Sequence, residues 1–253
     1  MRQAERQLDD QLAVRILKAL FMLKWVQEFK STPRNVAILL IDRPDIDIQK
    51  HEKAVRESLN YLEAQSYLQR NGECYEVLTD TEKDIEVEIK NTDIDDSQLS
   101  KLLGDILFAD ILRDPKIRYE GNGQDYTYAR KLDDQLVGRD ADLAVNIITT
   151  DHPTHGDLTT LAAQNTGKEE LLAVLPDDLR VIGDARLFLK TQQYVQRNSG
   201  LNVDETRRAI LAERGRQNSI RRTALQELCA GLLGKAPLYL NGSRLADIGE
   251  GEP

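Results

Sequence analysis

Four polar residues define the chemistry available to this chain. Gln49, Lys53, Arg56 and Asn60 follow one another at intervals of four, three and four, so on a helix they share one face. Their amide, ammonium and guanidinium groups are the kinds that hydrogen-bond base edges and phosphates. Arg34 precedes them in a shorter helical segment and Arg70 follows beside a turn, which completes a six-residue candidate nucleic-acid site. Carboxylates interrupt it. Glu52, Glu57 and Glu63 lie on the same segment and Glu73 follows the turn, and each would have to approach phosphate. The face therefore has two readings, contact with duplex DNA or contact with another protein, and both stay open.

A second cationic set lies near the C-terminus. Arg207, Arg214 and Arg221 are seven apart and on a continuous helix would align as a phosphate-tracking ridge. The opposing reading is a solvated helix face, paired with Asp204, Glu205, Glu213 and Glu227 and of little energetic weight.

Other constellations carry less. Asp151-His152-Pro153-Thr154-His155-Gly156-Asp157 contains an H-x-x-H, but on a Pro/Gly loop without the helical i, i+4 spacing of a zinc site, so solvated histidines and no metal are expected. Asp93-Ile94-Asp95-Asp96 starts like a calcium loop. It has Gln98 and Gly104 where such a loop needs Gly and Glu, and a helix cap is expected instead. Tyr119, Tyr126 and Tyr128, near Arg118 and Arg130, have faces for base stacking but are expected to pack one side of a sheet. No G-x-S-x-G elbow accompanies the histidines, and Cys74 and Cys229 share no CxxC spacing. Neither nucleophilic catalysis nor a disulfide or zinc framework follows, and no catalytic residue is assigned.

The elements that must position these groups are legible. Residues 8 to 29 carry Leu8, Leu12, Ile16, Ala19, Leu20 and Leu23 at helical spacing, widened by Leu17 and Phe21, which predicts a first helix. Thr32 caps a short second helix with Pro33 at its first position, carrying Val36, Ile38, Leu39 and Leu40. Arg43-Pro44-Asp45 ends it. A third helix follows, with Ile48, His51, Val55, Leu59 and Leu62 on its inward stripe and the four polar candidates opposite. Asn71-Gly72 then reads as the turn of a hairpin. Three helices and a hairpin in this order predict a winged helix-turn-helix.

Beyond it, Thr79 and Glu82 match a capping box, although Ile85, Val87 and Ile89 alternate with charges as in a strand. A helix with Leu99, Leu102, Leu103 and Ile106 ends before Asp114-Pro115. A Gly-Asn-Gly turn follows, and the apolar runs 143–148 and 171–175 read as buried strands. A helix starts near Pro176, and residues Asp204 to Leu233 form one long helix or two joined near Gly215. Pro237 to Leu240 is a closing strand, and the tail GEGEP reads as disordered or as a truncation scar. The fold class is thus α+β, with a winged-helix domain over 1–115 and a mixed α/β domain with a long C-terminal helical region over 116–253.

Composition bounds the function. Of the net charge of −9, residues 1–78 contribute nothing, with 12 basic and 12 acidic side chains, whereas 79–115 carry 4 basic and 11 acidic. A generally DNA-coating surface is excluded. No apolar run approaches the roughly 20 residues of a membrane span. The charged start, MRQAERQLDD, has no apolar core of a signal peptide, and cytoplasm is the expected compartment.

Taken together, LFMLKWVQEFKSTPRNVAILLID, LEAQSYLQRNGECYEVLTDTEKDIEVEIKNT, KIRYEGNGQDYTYARKLDD and ELLAVLPDDLR resemble the large P-loop protein of BREX (bacteriophage exclusion) systems, the BrxC/PglY family. The similarity spans nearly the whole chain. Members of that family are much longer and resemble AAA-type ATPases with a Walker A loop near the N-terminus. This sequence has no G-x-x-x-x-G-K-[ST]: Gly167-Lys168 is followed by Glu169 and Gly234-Lys235 by Ala236, so nothing here would cradle a triphosphate or its magnesium. The resemblance implies an internal segment placed after the ATPase core, without ATP, magnesium or any other cofactor of its own. It implies other BREX defence proteins or the parent ATPase core as partners, with duplex DNA as a further expected one, and no membrane. The expected function is a non-catalytic, DNA-engaging interaction segment. The alternative is an assembly module that binds only protein.

Overall fold

The computed structural model describes residues 8, 10–24, 26, 28–200 and 204–245. The tail GEGEP and most of the charged start lie outside the described residues. Two compact units result, residues 1–92 with 194–217, and residues 93–193 with 218–253.

In the first unit, α1 (Gln11–Leu23) starts where Asp10 accepts a hydrogen bond from the Leu12 N–H at 2.8 Å, satisfying one of the amides a helix start leaves unpaired. The helix is shorter than its apolar pattern. The second helix, α2 (Pro33–Leu39), is capped by Thr32 as expected, and α3 (Ile48–Ala64) by Asp47, whose carboxylate takes the Gln49 and Lys50 amides. Ala13, Ile16, Leu17 and Leu20 of α1, Val36 and Ala37 of α2, and Val55, Leu59 and Leu62 of α3 meet Leu68, Tyr75 and Val77 in one core. Each such large side chain contributes roughly 1.5–3 kcal/mol by leaving water. Four expected members of the apolar stripes are outside it: Ile48 is 57% exposed, Ile38 54%, Phe21 of α1 51% and Leu39 44%. Ile48 lies on the first turn of α3 and Ile38 and Leu39 on the last of α2, where the apolar stripe has run past the elements that could cover it.

The strands β1 (Leu68–Asn71) and β2 (Cys74–Val77) pair antiparallel with Asn71 opposite Cys74. The turn is therefore Gly72-Glu73, one residue later than the Asn-Gly pair predicts. Gly72 takes φ +61° as the first central residue of a two-residue loop, where glycine has no steric cost. The helix α4 (Asp80–Lys90) follows, and its capping box is complete: Thr79 N–H donates to Glu82 at 2.7 Å and Glu82 N–H to the Thr79 hydroxyl at 3.3 Å. That decides for a helix over the strand that the alternation also allowed.

The second unit begins at α5 (Asp96–Gly104), which continues as a π-helical stretch over Asp105–Ile111. Gln98 reaches back to the Asp95 amide at 3.1 Å, so the aspartates cap a helix. This segment packs its Leu99, Leu103, Ile106 and Phe108 against sheet residues Leu132, Ile147 and Ala173, which is why the division falls at Thr92/Asp93 and not near Pro115. The strands are β3 (Lys116–Tyr119), β4 (Gln124–Leu132), β5 (Gln135–Leu136), β6 (Leu143–Ile148), β7 (Glu170–Val174), β8 (Leu238–Leu240) and β9 (Ser243–Arg244). Their order is β3-β4-β6-β7-β8-β9, with β5 attached to β4. The β4/β6 and β6/β7 pairs are parallel and the others antiparallel. One face is covered by α5, by the start of α7 (Arg180–Asn198) and by the later part of α8 (Glu205–Leu233) through Val181, Phe188, Leu225 and Cys229. The other is covered by α6 (Leu158–Asn165) through Leu161. The fold is mixed α/β, and α8 is one continuous helix through Gly215.

Candidate nucleic-acid interface

The six candidates divide four to two. Arg34 at the start of α2, Arg56 and Asn60 on α3, and Arg70 on β1 line one groove of about 360 Å³ together with Thr32, Pro33, Glu52, Glu73 and Tyr75. Gln49 and Lys53 continue the same exposed face of α3 toward its start but are not part of that lining.

The groove is built by its hydrogen bonds. Tyr75, buried at 3% exposure, stands directly opposite Arg70 in the hairpin register and donates its phenol to Asn60 Oδ1 at 2.9 Å. Burial pushes the Tyr75 phenol above its ordinary range, so it keeps the proton it donates. The amide NH₂ of Asn60 is then the end left facing out. Arg70 Nε donates to the Gly72 carbonyl at 2.9 Å, which fixes the guanidinium beside the turn. Arg56 pairs with Glu52 one helical turn earlier at 3.0 Å. Among the described residues Arg34 has no ion-pair partner. The Asn-Gly signal alone does not reveal Tyr75, because it implies a turn one residue earlier than the observed register, which sets Tyr75 across from Arg70.

The expected ridge of Arg207, Arg214 and Arg221 is not an exposed one. Arg207 donates to Glu88 and to the Tyr194 hydroxyl, each at 2.7 Å. Arg214 is 5% exposed, with Nη1 on Gln217 at 3.0 Å and Nε 3.7 Å from the buried Glu86. Arg221 donates to Asn218 at 2.8 Å. Heptad spacing aligns the three correctly, but their partners are the Glu86 and Glu88 carboxylates of α4, the Tyr194 hydroxyl of α7 and the Gln217 and Asn218 amides of α8 itself.

In the second unit, His152 Nε2 lies 3.1 Å from Asp134 and its Nδ1 3.0 Å from the Thr154 hydroxyl, while His155 Nε2 lies 2.7 Å from the Leu175 carbonyl. The two rings are committed to different partners. Burial pushes the Asp134 carboxyl up, but hydrogen bonds from Asn146 and His152 outweigh it and hold it below the ordinary range. Cys74 and Cys229 are both free thiols, and burial pushes Cys229 up to about 11, which leaves it an inert thiol. A cleft of about 620 Å³ runs over the sheet beside Ile117, Tyr128, Leu143, Val145, Leu171 and Leu240. Its walls are mainly apolar, with Lys168, Glu169, Glu170 and Asn241 also in the lining. No helix among the described residues is long and apolar enough to cross a membrane.

The sheet of the second unit has seven strands, six of them in one path with two parallel pairs at its centre. The family model of the BREX ATP-binding protein BrxC, fourth domain with six-stranded β-sheet, matches residues 92–253. The chain belongs to the BrxC family. No solved structure matches it. The match begins at the residue where the first segment of the first unit ends and covers the whole of the sheet unit. Membership ties the chain to BREX defence. The arginine groove, at residues 32–75, lies ahead of the region that the BrxC model covers.

Proposed function

We propose that this BrxC-family chain is a non-catalytic interaction segment of a BREX-type defence ATPase, and that its first unit is a winged helix that engages duplex DNA. The observation that carries the reading is the groove. Three arginines from three separate elements, with the Asn60 amide, surround one hollow in which Tyr75 takes Asn60 Oδ1 and Arg56 takes Glu52, so that three cations face the two carboxylates Glu52 and Glu73. Such a surface favours an anion, and the duplex backbone is the polyanion a three-helix-and-hairpin unit is shaped to meet. Gln49 and Lys53 extend the contact along α3. In this reading nucleotide chemistry belongs to other parts of the parent ATPase, the segment needs no cofactor, and it works in the cytoplasm beside other BREX components. The Lys53→Glu/Arg56→Glu variant tests it: the wild-type chain retards duplex DNA in a salt-dependent manner and the variant does not. Equal retardation by both, or by neither, removes the reading.

One observation favours the alternative of a protein-only assembly module. Ile38 and Leu39 at the end of α2, Ile41 after it and Ile48 at the start of α3 are all exposed. Apolar exposure of this kind is common at protein interfaces. Ile38→Glu/Ile48→Glu separates the readings, since it leaves DNA retardation intact and abolishes pull-down of the parent ATPase core.

A further inference from the structure

We propose that the groove is a phosphate socket blind to base sequence, gripping one phosphodiester with Arg34, Arg70 and the Asn60 amide, and that Glu52 is its built-in competitor, holding Arg56 until the phosphate takes its place. The proposal rests on the reading of the first unit as DNA-engaging and names what that unit recognises.

Donor and acceptor accounting leads there. An asparagine that reads adenine must donate to N7 and accept from N6 at once. Asn60 Oδ1 already accepts the Tyr75 phenol, so the outward end of Asn60 only donates. The Nε of Arg70 is engaged by the Gly72 carbonyl, and its remaining N–H groups only donate. Arg34 only donates as well. Donors of this kind suit a phosphodiester or the acceptor-only O6/N7 edge of guanine, not the mixed donor and acceptor edge of adenine, and of the two the projecting phosphodiester is the one a hollow admits. Shape agrees. The hollow is lined from the start of α2, from α3 and from the hairpin, and a phosphate projecting from a duplex enters such a hollow, whereas base edges lie recessed in their groove.

Two carboxylates, Glu73 and Glu52, share that lining, and Glu52 is the one paired with a lining arginine. Its carboxylate lies 3.0 Å from Arg56 Nη2, one helical turn away, with the two side chains 29% and 56% exposed. A pair this exposed is weak and exchanges readily. A phosphate entering beside Arg34 and Arg70 brings the same kind of oxygen to Arg56, and the Glu52 carboxylate must then yield. Glu73, the other carboxylate of the lining, is exposed and has no ion-pair partner among the described residues. The net effect is a socket tuned to weak, reversible grip.

Fluorescence anisotropy of the 253-residue chain, with two duplexes of equal length and unrelated sequence over a salt series, tests this. The two duplexes are expected to bind within about threefold of each other. Glu52→Gln, a shape-conserving change, tightens both about two- to fivefold and steepens the salt dependence by about one unit, while Arg34→Ala/Arg70→Ala flattens it by about two. A preference above about tenfold between the duplexes that Asn60→Ala abolishes overturns the sequence-blind socket. Unchanged or weaker binding by Glu52→Gln overturns the competitor role while leaving DNA engagement intact. Displacement of duplex by inorganic phosphate, beyond its ionic-strength effect, overturns the phosphodiester in favour of a free anion. Absence of duplex binding by both wild type and Glu52→Gln removes this proposal and the DNA reading together.

Discussion

Arginine plays opposite parts in two places of this molecule. Along α8, Arg207 and Arg214 turn into acceptors supplied by α4 and by neighbouring side chains: Glu88 and Tyr194 for the first, Glu86 and Gln217 for the second. Around the groove, Arg34, Arg56 and Arg70 face outward, and the acceptors that engage them are the half-buried Glu52 carboxylate and one turn carbonyl, with Glu73 the other carboxylate of the lining. Periodicity says which side of a helix a charge occupies. Whether that side meets protein acceptors or water is decided by other elements, and that decides whether the charge serves stability or binding.

The buried arginine is where breaking the comparison costs most. Arg214→Ala leaves Glu86 buried with no counter-charge, and removing one partner of such a pair destabilises by about 3–5 kcal/mol. A denaturant titration should show this as a lower midpoint, and Arg214→Met/Glu86→Leu should restore most of it, because a hydrophobic pair of similar volume has no desolvated charge to support. A loss below about 0.5 kcal/mol would mean that α8 does not dock through this residue. The groove predicts the reverse profile. Arg34→Ala/Arg70→Ala should leave the midpoint within about 0.5 kcal/mol of wild type and weaken duplex binding about tenfold at low salt, or roughly 1.4 kcal/mol. A smaller effect is expected at the start of α4, the helix that presents Glu86 and Glu88 to α8. Thr79→Ala removes half of its capping box and should cost about 1 kcal/mol.

The pentapeptide LDDQL, present at 8–12 and at 132–136, shows what the sequence could and could not say. In the first copy Asp10 caps α1 and also accepts the Ser58 hydroxyl at 2.8 Å. In the second, Asp133 and Asp134 have φ +49° and +66° and form the two-residue turn between β4 and β5. That backbone is unusual for residues other than glycine or asparagine, and distant groups hold it: Thr149 donates its amide and hydroxyl to Asp133, each at 2.7 Å, and Asn146 donates to Asp134 at 2.7 Å. Local patterns therefore revealed what local forces determine, namely the Thr32, Thr79 and Asp95 helix starts, the apolar face of α3 from Val55 onward and the β6 strand. They missed what β6 or α8 imposes from far along the chain, including the 133–134 turn and the burial of Arg214. The candidate site was legible to the extent that α3 and its flanks could be placed; the hairpin register, which brings Tyr75 under Asn60, could not.

The smallest predicted effect concerns an engaged cation between these extremes. Lys24 lies 3.2 Å from Glu82, with the two side chains 19% and 27% exposed, so the pair is neither sunk like Arg214 nor open like Arg34. Burial pushes the Glu82 carboxyl up, but the Thr79 amide and hydroxyl and the Lys24 ammonium outweigh it and hold it below its ordinary 4.5. A carboxyl lowered in the folded state contributes stability that is present above 4.5 and is lost as pH falls through the folded value. Glu82→Gln keeps the side-chain acceptor of the capping box but cannot titrate. The gap in stability between wild type and this variant should therefore be constant from neutrality to about pH 5 and close as the pH falls further. A gap that persists undiminished at about pH 2 would show that the Glu82 charge contributes nothing and that its role is the hydrogen bond alone.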